Sequence, residues 1–404
     1  MSRWLPLFAA MVASSHDIEA VLQTIRDDQA WTLEQQTSIC EIPAPPFHEA
    51  ERGREFSKRL AALGLIDVRT DAEGNVIGKW PGSQQPKPLI VFSAHLDTVF
   101  PAGMDVRVKK DGKRLTGLGI GDDCRGLATV LTVARAFQKH QVTFPGTVLF
   151  VGTVGEEGQG DLRGVRHLFL KELPGQIDSF ISVDGTGMGI AARGVGSNRY
   201  LVTYKGRGGH SYGAFGMPNP AHAMGRAVAR ISDIQVPTEP KTTFNIGRME
   251  GGTSVNSIPI SVSMEVDIRS ESAKELAALD ERLRAALQAG LEAEKKRWPE
   301  SQAPLELEIK TMGLRPAAEP PDSLPIVQKA LAAARRLNVP VFATRSGSTD
   351  ANLPMSLGIP AITIGGGGQA NGAHSADEWY EDTPESYKGP QWSALILHLL
   401  LTEP

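Results

Sequence analysis

Two adjacent glutamates, Glu156 and Glu157, lie between glycines in the stretch VGTVGEEGQGDLRG. The apolar, β-branched run GTVLFV leads directly into them and predicts a buried strand. Neighbouring carboxylates repel each other, and flanking glycines lose more conformational freedom than other residues when they become ordered. The combination is typical of a metal centre, because a cation offsets the repulsion while one carboxylate ligates it and the other takes a proton from an activated water.

Three further short apolar runs, PLIVFSA, SFISV and PAITI, also lead into imidazole or carboxylate side chains. In chain order these side chains are His95 and Asp97, then Asp184, then His374. Short apolar runs that alternate with helices indicate a mainly parallel sheet buried on both faces. Since ligands of open α/β sheets bind beyond the carboxyl ends of the strands, we expect all these groups at one edge of the sheet.

A glycine-rich segment, TGLGIGDDCRGLATV, places Asp122 and Asp123 just before a predicted helix, where the helix dipole favours negative charge. Its GLGIG portion lacks the third glycine of a dinucleotide-binding loop. Histidine and carboxylate ligands without thiolates suit Zn²⁺, with Mn²⁺ or Co²⁺ as substitutes. The ligands suffice for two ions that share a bridging carboxylate.

Composition narrows the class of protein. The 404-residue chain has a formal net charge of −4, which predicts no nucleic-acid partner, and no apolar run is long enough to span a bilayer. Cys40 and Cys124 are the only cysteines, which predicts neither a disulfide framework nor a thiolate metal site.

Residues 1–15, MSRWLPLFAAMVASS, fit an N-terminal extension or a weak secretory signal. We predict a cytoplasmic protein, with export as the alternative.

The order of elements predicts an α/β fold with a second domain inserted into the first. Helices are predicted at 17–40 and 47–63, and the apolar runs form a mainly parallel sheet flanked by helices. Between 195 and 312 the pattern changes to β-α-β-β-α-β, the order of a ferredoxin-like α+β domain. The predicted catalytic domain therefore comprises 16–194 and 313–404, and the insert is a predicted lid or dimerisation domain.

Over nearly its whole length the chain resembles the co-catalytic zinc exopeptidases that carry an inserted dimerisation domain. This family includes peptidase T, carboxypeptidase G, acetylornithine deacetylase and the aminoacylases, and the overall pattern is most similar to peptidase T. The stretches that carry the resemblance are SAHLDTV, GIGDDCRG, GTVGEEG, SVDGTG, GRGGHSY, GGTSVNSIP, DIRS, SGSTDANL and GAHSADE. Each motif alone is weak, but their order and spacing together are specific.

The resemblance implies a role for each of these residues. The implied metal ligands are Asp122 as the bridge, His95 and Asp184 for one ion, and Glu157 and His374 for the other. The implied catalytic residues are Glu156 as general base, Asp97 as the residue that orients His95, and His210, which stabilises the oxyanion from the partner subunit of a homodimer. The substrate's backbone or carboxylate is implied to contact Asn256 and Arg269, with Arg345 as a further anchor.

Two positions depart from the family pattern. Cys124 stands where the family usually has lysine, which leaves the ligand set intact but makes oxidation near the metals possible. Ser346 and Ser348 stand where peptidase T has glycines, which concerns the substrate pocket rather than the chemistry.

Three functions can be compared with this pattern. The favoured prediction is an aminopeptidase or tripeptidase-like exopeptidase that cleaves short peptides, with Asp123, Asp350 and Asp377 as acids available to a free α-ammonium group. An N-acyl amino acid deacylase would use the same metals and base. A non-catalytic metal or ligand-binding protein would be expected to lack the base or part of the ligand set, and both are present.

Overall fold

The computed structural model describes residues 17–83 and 87–403, without the side chains of 342–345. The segment 1–15, predicted as an extension or weak signal, lies outside the described residues. The first part of the chain forms α1 (Ile18–Asp27), α2 (Gln29–Cys40), α3 (Ala50–Ala62), β1 (Ile66–Thr70), β2 (Val76–Trp80), β3 (Leu89–His95), β4 (Lys109–Asp111), β5 (Arg114–Thr116), α4 (Cys124–Lys139), β6 (Thr147–Thr153), α5 (Arg163–His167), β7 (Ser179–Val183) and β8 (Gly189–Gly194).

The second part contains the predicted insert and the return to the first domain. Its elements are β9 (Gly196–Gly206), β10 (Gly209–His210), α6 (Pro220–Ser232), β11 (Thr242–Gly251), β12 (Ser257–Ile258), β13 (Ser261–Ser270), α7 (Ala273–Arg297), β14 (Leu305–Arg315), α8 (Pro325–Arg336), β15 (Phe342–Gly347), α9 (Asn352–Ser356), β16 (Ala361–Ile364), β17 (Gln369–Asn371), β18 (Trp379–Glu381) and α10 (Lys388–Thr402).

The main sheet has eight strands in the order β1-β2-β6-β3-β7-β16-β8-β15. The four apolar runs identified in the sequence are β3, β6, β7 and β16, and they are consecutive, mutually parallel neighbours at its centre. Their carboxyl ends therefore meet at one edge, as predicted. The α/β prediction is confirmed.

Helix α4 packs against the central strands of the main sheet, beside this edge. Almost all of its residues are buried, because α4 packs on the central strands and is covered in turn by α1, α2 and α10. Burial of each large apolar side chain, such as Leu127 or Leu131, stabilises the fold by about 1.5–3 kcal/mol. The start of α4, and with it Asp122, is thereby held against the strand ends.

The helix predicted at 17–40 is divided in two. Asp28 lies at the break between α1 and α2, and its carboxylate accepts hydrogen bonds from Arg135 (2.9 Å) and Lys139 (2.7 Å) of α4. Burial disfavours a charge at this position, but the two cations outweigh that effect and lower the pKa of Asp28. The single-helix prediction was wrong because this long-range contact is invisible in the local pattern.

The second sheet has the strand order β11-β13-β9-β14, with every neighbouring pair antiparallel. Helices α6 and α7 pack against it and enclose a separate core that includes Tyr200, Val202 and Leu287. The β-α-β-β-α-β order of a ferredoxin-like unit is confirmed. The domain limits at 195 and 312 remain a prediction, and β14 itself continues to Arg315.

The two cysteines form a single disulfide, which was not predicted from the sequence. Cys40 at the end of α2 and Cys124 at the start of α4 form a disulfide, with Cα atoms 5.4 Å apart across a sequence separation of 84 residues. Both residues are fully buried. Cysteine count alone could not reveal the bond, because it depends on how α2 packs against α4.

No helix in the described ranges combines the length and the apolar character needed to cross a lipid bilayer.

Candidate active site

The five predicted metal ligands converge at the carboxyl edge of the main sheet. Their side chains form two overlapping groups in which the potential ligand atoms all lie within 4.8 Å of one another. One group is His95, Asp122 and Asp184, and the other is Asp122, Glu157 and His374. Asp122 belongs to both groups, which is the position that a bridging carboxylate would occupy.

Direct contacts define the arrangement around Asp122. Its Oδ1 lies 3.0 Å from His95 Nε2, and its Oδ2 lies 3.2 Å from His374 Nε2. His374 Nε2 also lies 2.9 Å from Glu157 Oε1. Each oxygen of Asp122 therefore faces one of the two histidines, so a carboxylate and an imidazole nitrogen point toward a common position on either side.

The carboxylates among the predicted metal ligands carry more buried negative charge than the two histidines can neutralise. Burial raises the pKa of Asp184 well above its ordinary value, and the charge of Asp122 adds to the effect. Burial and repulsion from Glu156 raise the pKa of Glu157 to about 7. The hydrogen bond to Asp122 raises the pKa of His374 to about 9. Divalent cations would remove this conflict, since they favour ionised carboxylates and neutral imidazoles, so the residues fit a metal centre.

Asp97 holds the acidic loop as well as the histidine. His95 Nδ1 lies 3.0 Å from the backbone oxygen of Asp97 and 3.7 Å from its Oδ1. The Asp97 carboxylate also accepts hydrogen bonds from the amides of Glu156 (3.1 Å) and Glu157 (2.8 Å). Gly155, with φ +67°, adopts the left-handed conformation that lets the chain turn toward Asp97. One buried carboxylate thus orients both a predicted ligand and the paired glutamates.

Two buried acids organise the surrounding loops. Asp123 caps α4 by accepting from Gly126 N (3.0 Å) and also accepts from the amide of His95 (3.1 Å). Glu378 accepts from the amides of Gly121 (2.8 Å) and Asp122 (3.1 Å). No role was predicted for Glu378, although it ends the GAHSADE motif, which was the available signal.

A cavity of about 430 Å³ opens in front of the acids. Asp122, Glu156, Glu157, Asp184 and His374 line one side of it, and Arg199, Arg269, Arg315, Ser348 and Thr349 are among the other lining residues. Arg269 was predicted there, but Arg199 and Arg315 were not. Their positions depend on the pairing of β9 with β13 and β14, which joins residues far apart in the sequence.

Asp267 fixes two of these arginines. Its Oδ1 accepts from Arg199 Nε at 3.2 Å, and its Oδ2 accepts from Arg269 Nε at 2.8 Å. One carboxylate thus holds two guanidinium groups at the cavity, so one positive charge is left for a ligand.

The structure of the single chain does not bring His210 and Asn256 to the acids. Both are exposed and lie together on the second domain, where β10 pairs with β12 and the amide of Ser211 donates to Asn256 O (2.9 Å). Neither residue lines the cavity. The backbone of Arg345 lies in β15, and its side chain is outside the described residues.

The acids assigned to a free α-ammonium group do not line the cavity either. Asp123 is committed to the α4 cap, and Asp350 is buried and accepts from Thr153 Oγ1 at 2.5 Å. Asp377 is exposed in the loop after His374. Asp123 and Asp350 therefore lie inside the protein rather than among the residues that line the cavity.

Comparison with known proteins places this site in a family. Residues 91–395 match peptidase family M20/M25/M40. An uncharacterised Bacillus subtilis protein, YqjE, is 26% identical over 350 residues, covering 82% of this chain and 89% of that protein. A succinyl-diaminopimelate desuccinylase of Hahella chejuensis is 26% identical over 284 residues, covering 65% of this chain and 73% of the enzyme.

Among solved structures, the aminopeptidase PepT from Bacillus cereus shares the fold. The TM-score is 0.73 at 21% identity, and the superposition covers 92% of this chain and 99% of PepT. The resemblance to the zinc exopeptidases is confirmed, and the family match supports metal-dependent hydrolysis of peptide or acyl-amino acid bonds. The chain belongs to peptidase family M20/M25/M40 and is a hydrolase of that family.

Proposed function

We propose that the chain is a dinuclear metal-dependent exopeptidase that hydrolyses the amide bond of short peptides. The observation that carries this proposal is the pair of ligand groups sharing Asp122 in a cavity that also exposes Glu156. Zinc fits the nitrogen and oxygen donors, and cobalt or manganese could replace it.

The ligand assignment follows the two groups. His95 and Asp184 would hold one ion, Glu157 and His374 the other, and Asp122 both. Divalent cations held there would polarise the scissile carbonyl and lower the pKa of a water molecule.

Glu156 is the proposed general base rather than a ligand. It forms a further close group with His95 and Glu157, so proximity alone does not separate the roles. Arg315 supports the role of base, because its Nη1 donates to Glu156 Oε1 at 2.9 Å and a guanidinium disfavours a second cation at that carboxylate. Burial raises the pKa of Glu156, and the charge of Arg315 opposes that shift.

The proton path uses one carboxylate twice. Glu156 takes a proton from the attacking water and then delivers it to the leaving amine. Because Glu156 lines the same cavity as Asp122 and Asp184, it lies on the side where water and substrate enter.

The arginines support a substrate that carries a free carboxylate near the scissile bond. Arg269 would contact this carboxylate, with Arg199 beside it, because Asp267 neutralises only one of the two positive charges. A dipeptide or tripeptide supplies such a group at its C-terminus.

An N-acyl amino acid also has this carboxylate, so a deacylase is the second candidate. It is favoured because Asp123 and Asp350 are buried and do not line the cavity, which removes two acids that could receive a free α-ammonium group. The similarity to a desuccinylase is compatible with this alternative.

A homodimer is proposed because His210 and Asn256 lie on an exposed surface away from the acids of their own chain. Large apolar side chains surround this surface, and Tyr212, Phe215 and Ile260 are among the most exposed of them. Exposed apolar clusters of this kind mark association sites. In the proposed dimer, His210 stabilises the oxyanion in the partner's site and Asn256 contacts the substrate there.

One substrate panel tests the proposed function. We expect Ala-Ala and Ala-Ala-Ala to be hydrolysed, Ala-Ala amide to react much more slowly, and a chelator to abolish turnover until zinc, manganese or cobalt is restored. Elemental analysis should find about two ions per chain, from the ligand count. Full turnover in excess chelator, with no metal in the protein, would end the proposal. Faster release of amine from N-acetyl amino acids than from the free peptides would favour the deacylase.

A further inference from the structure

Arg315 binds Glu156 at two points. Its Nη1 donates to Glu156 Oε1 at 2.9 Å, and its Nη2 donates to the backbone oxygen of Glu156. Nη1 also lies 3.2 Å from Ser348 O and 3.3 Å from Ser348 Oγ. The fork of the guanidinium therefore fixes the main chain and the carboxylate of the same residue, which a single ammonium group could not reproduce.

The loop that carries Glu156 needs such restraint. Gly155 and Gly158 flank the glutamates and both have positive φ, at +67° and +51°. Asp97 holds the amide of Glu156, and Arg315 holds its carbonyl and one carboxylate oxygen. Arg315 thus supplies two of these three restraints, and the other carboxylate oxygen, Oε2, is the one that Arg315 does not engage.

Arg315 and Glu156 belong to different parts of the molecule. Arg315 ends β14 of the second sheet, whereas Glu156 follows β6 of the main sheet. The contact is reinforced next to Arg315, where Leu314 N donates to Asp161 Oδ1 at 2.9 Å. A shift of the second sheet relative to the main sheet would therefore move Arg315 and, through it, Glu156.

Arg315 is less suited than Arg269 to bind a substrate carboxylate directly. Only 6% of the Arg315 side chain is exposed, against 40% for Arg269. The terminal nitrogens of Arg315 already serve Glu156 and Ser348, whereas the hydrogen bond of Arg269 to Asp267 uses its Nε. The position of Arg315 therefore suits an effect on Glu156 better than direct contact with the substrate.

We propose that Arg315 is a positioning residue that holds Glu156 in its general-base orientation and makes that orientation depend on the placement of the second domain. This inference rests on the proposed role of Glu156. The hydroxyl of Ser348 adds a further contact that holds the guanidinium of Arg315 in place.

The test compares Arg315→Met and Arg315→Lys with Glu156→Gln and the double variant Glu156→Gln/Arg315→Met. Arg166→Met is the matched control, because Arg166 donates to Leu314 O and Asp161 O beside Arg315 without contacting Glu156. For each variant, kcat and KM are measured separately on Ala-Ala, together with metal content and Tm. Activity of Arg315→Met is also measured with added guanidinium ion.

We expect Arg315→Met to lose kcat on the order of 100-fold, as for a misplaced catalytic group, with KM within about threefold and metal content unchanged. Guanidinium ion should restore part of kcat, Arg315→Lys should fall between, and Arg166→Met should stay within about threefold of the wild type. Adding Arg315→Met to Glu156→Gln should cause little further loss, because the residue to be positioned is already inactive.

Wild-type kcat in Arg315→Met, or losses that add in the double variant, would overturn the positioning role while leaving Glu156 as the base. Loss of metal or of Tm in parallel with kcat, without rescue by guanidinium, would show a purely structural role and also overturn it. Wild-type kcat in Glu156→Gln is a distinct outcome, because it would remove the base assignment of the proposed function and this inference with it.

Discussion

Replacing Asp97 by asparagine tests how the acidic loop is positioned. The Asp97 side chain is fully buried, and its two oxygens accept the amides of Glu156 (3.1 Å) and Glu157 (2.8 Å). An asparagine at this position would have nearly the same volume, but one oxygen would become an NH₂ group facing a backbone N–H. The variant therefore disrupts the hydrogen bonds to the amides of Glu156 and Glu157 without opening a cavity.

The structure sets the expected magnitude. A hydrogen bond to a charged group contributes about 1.5–3 kcal/mol, and a neutral one about 1 kcal/mol. Asp97→Asn loses one charged bond and weakens the other, so the loop conformation should lose about 2–4 kcal/mol. If that energy appears as misplacement of Glu156, kcat/KM should fall by about 30- to 1,000-fold.

The assay measures kcat/KM on Ala-Ala, metal content and Tm for Asp97→Asn and for a control, Asp178→Asn. Asp178 accepts the amide of Leu89 (2.8 Å) at the opposite end of β3, so its replacement weakens a similar bond away from the acids. We expect the control to retain kcat/KM within about threefold, since surface substitutions rarely exceed about 0.5 kcal/mol. A loss in Asp97→Asn no greater than that in Asp178→Asn would refute the reasoning.

Two further predictions separate roles within the site. Glu156→Ala should retain metal and lose kcat by about 10²–10⁴-fold. Glu157→Ala should lose metal affinity as well, because Glu157, unlike Glu156, belongs to one of the two groups that share Asp122; equal metal content and equal loss of kcat in both variants would contradict the assignment. His210→Ala mixed with Glu156→Ala should regain partial activity as a hybrid dimer, since one site then combines an intact base with the partner's intact histidine; no recovery despite demonstrated subunit exchange would place His210 outside the partner's site.

Local signals predicted most of the candidate metal centre. Each of the strands β3, β6 and β7 is a short apolar run that leads into a histidine or carboxylate, so the candidate ligands could be predicted from the order of residues. The rule that parallel strands present their carboxyl ends at one edge then brings His95, Glu157 and Asp184 together without knowledge of side-chain packing. The ferredoxin-like order of the insert was readable for the same reason, because each strand and helix has its own periodicity.

The tertiary structure decided what depends on contacts between distant elements. Arg315 reaches Glu156 only because β14 of the second sheet ends beside the loop after β6, and Arg199 reaches the cavity through its pairing with Asp267 on β13. The Cys40–Cys124 disulfide likewise follows from the packing of α2 on α4. No periodicity encodes such contacts, since they arise when separately patterned elements bury their apolar faces against one another and carry their polar side chains with them.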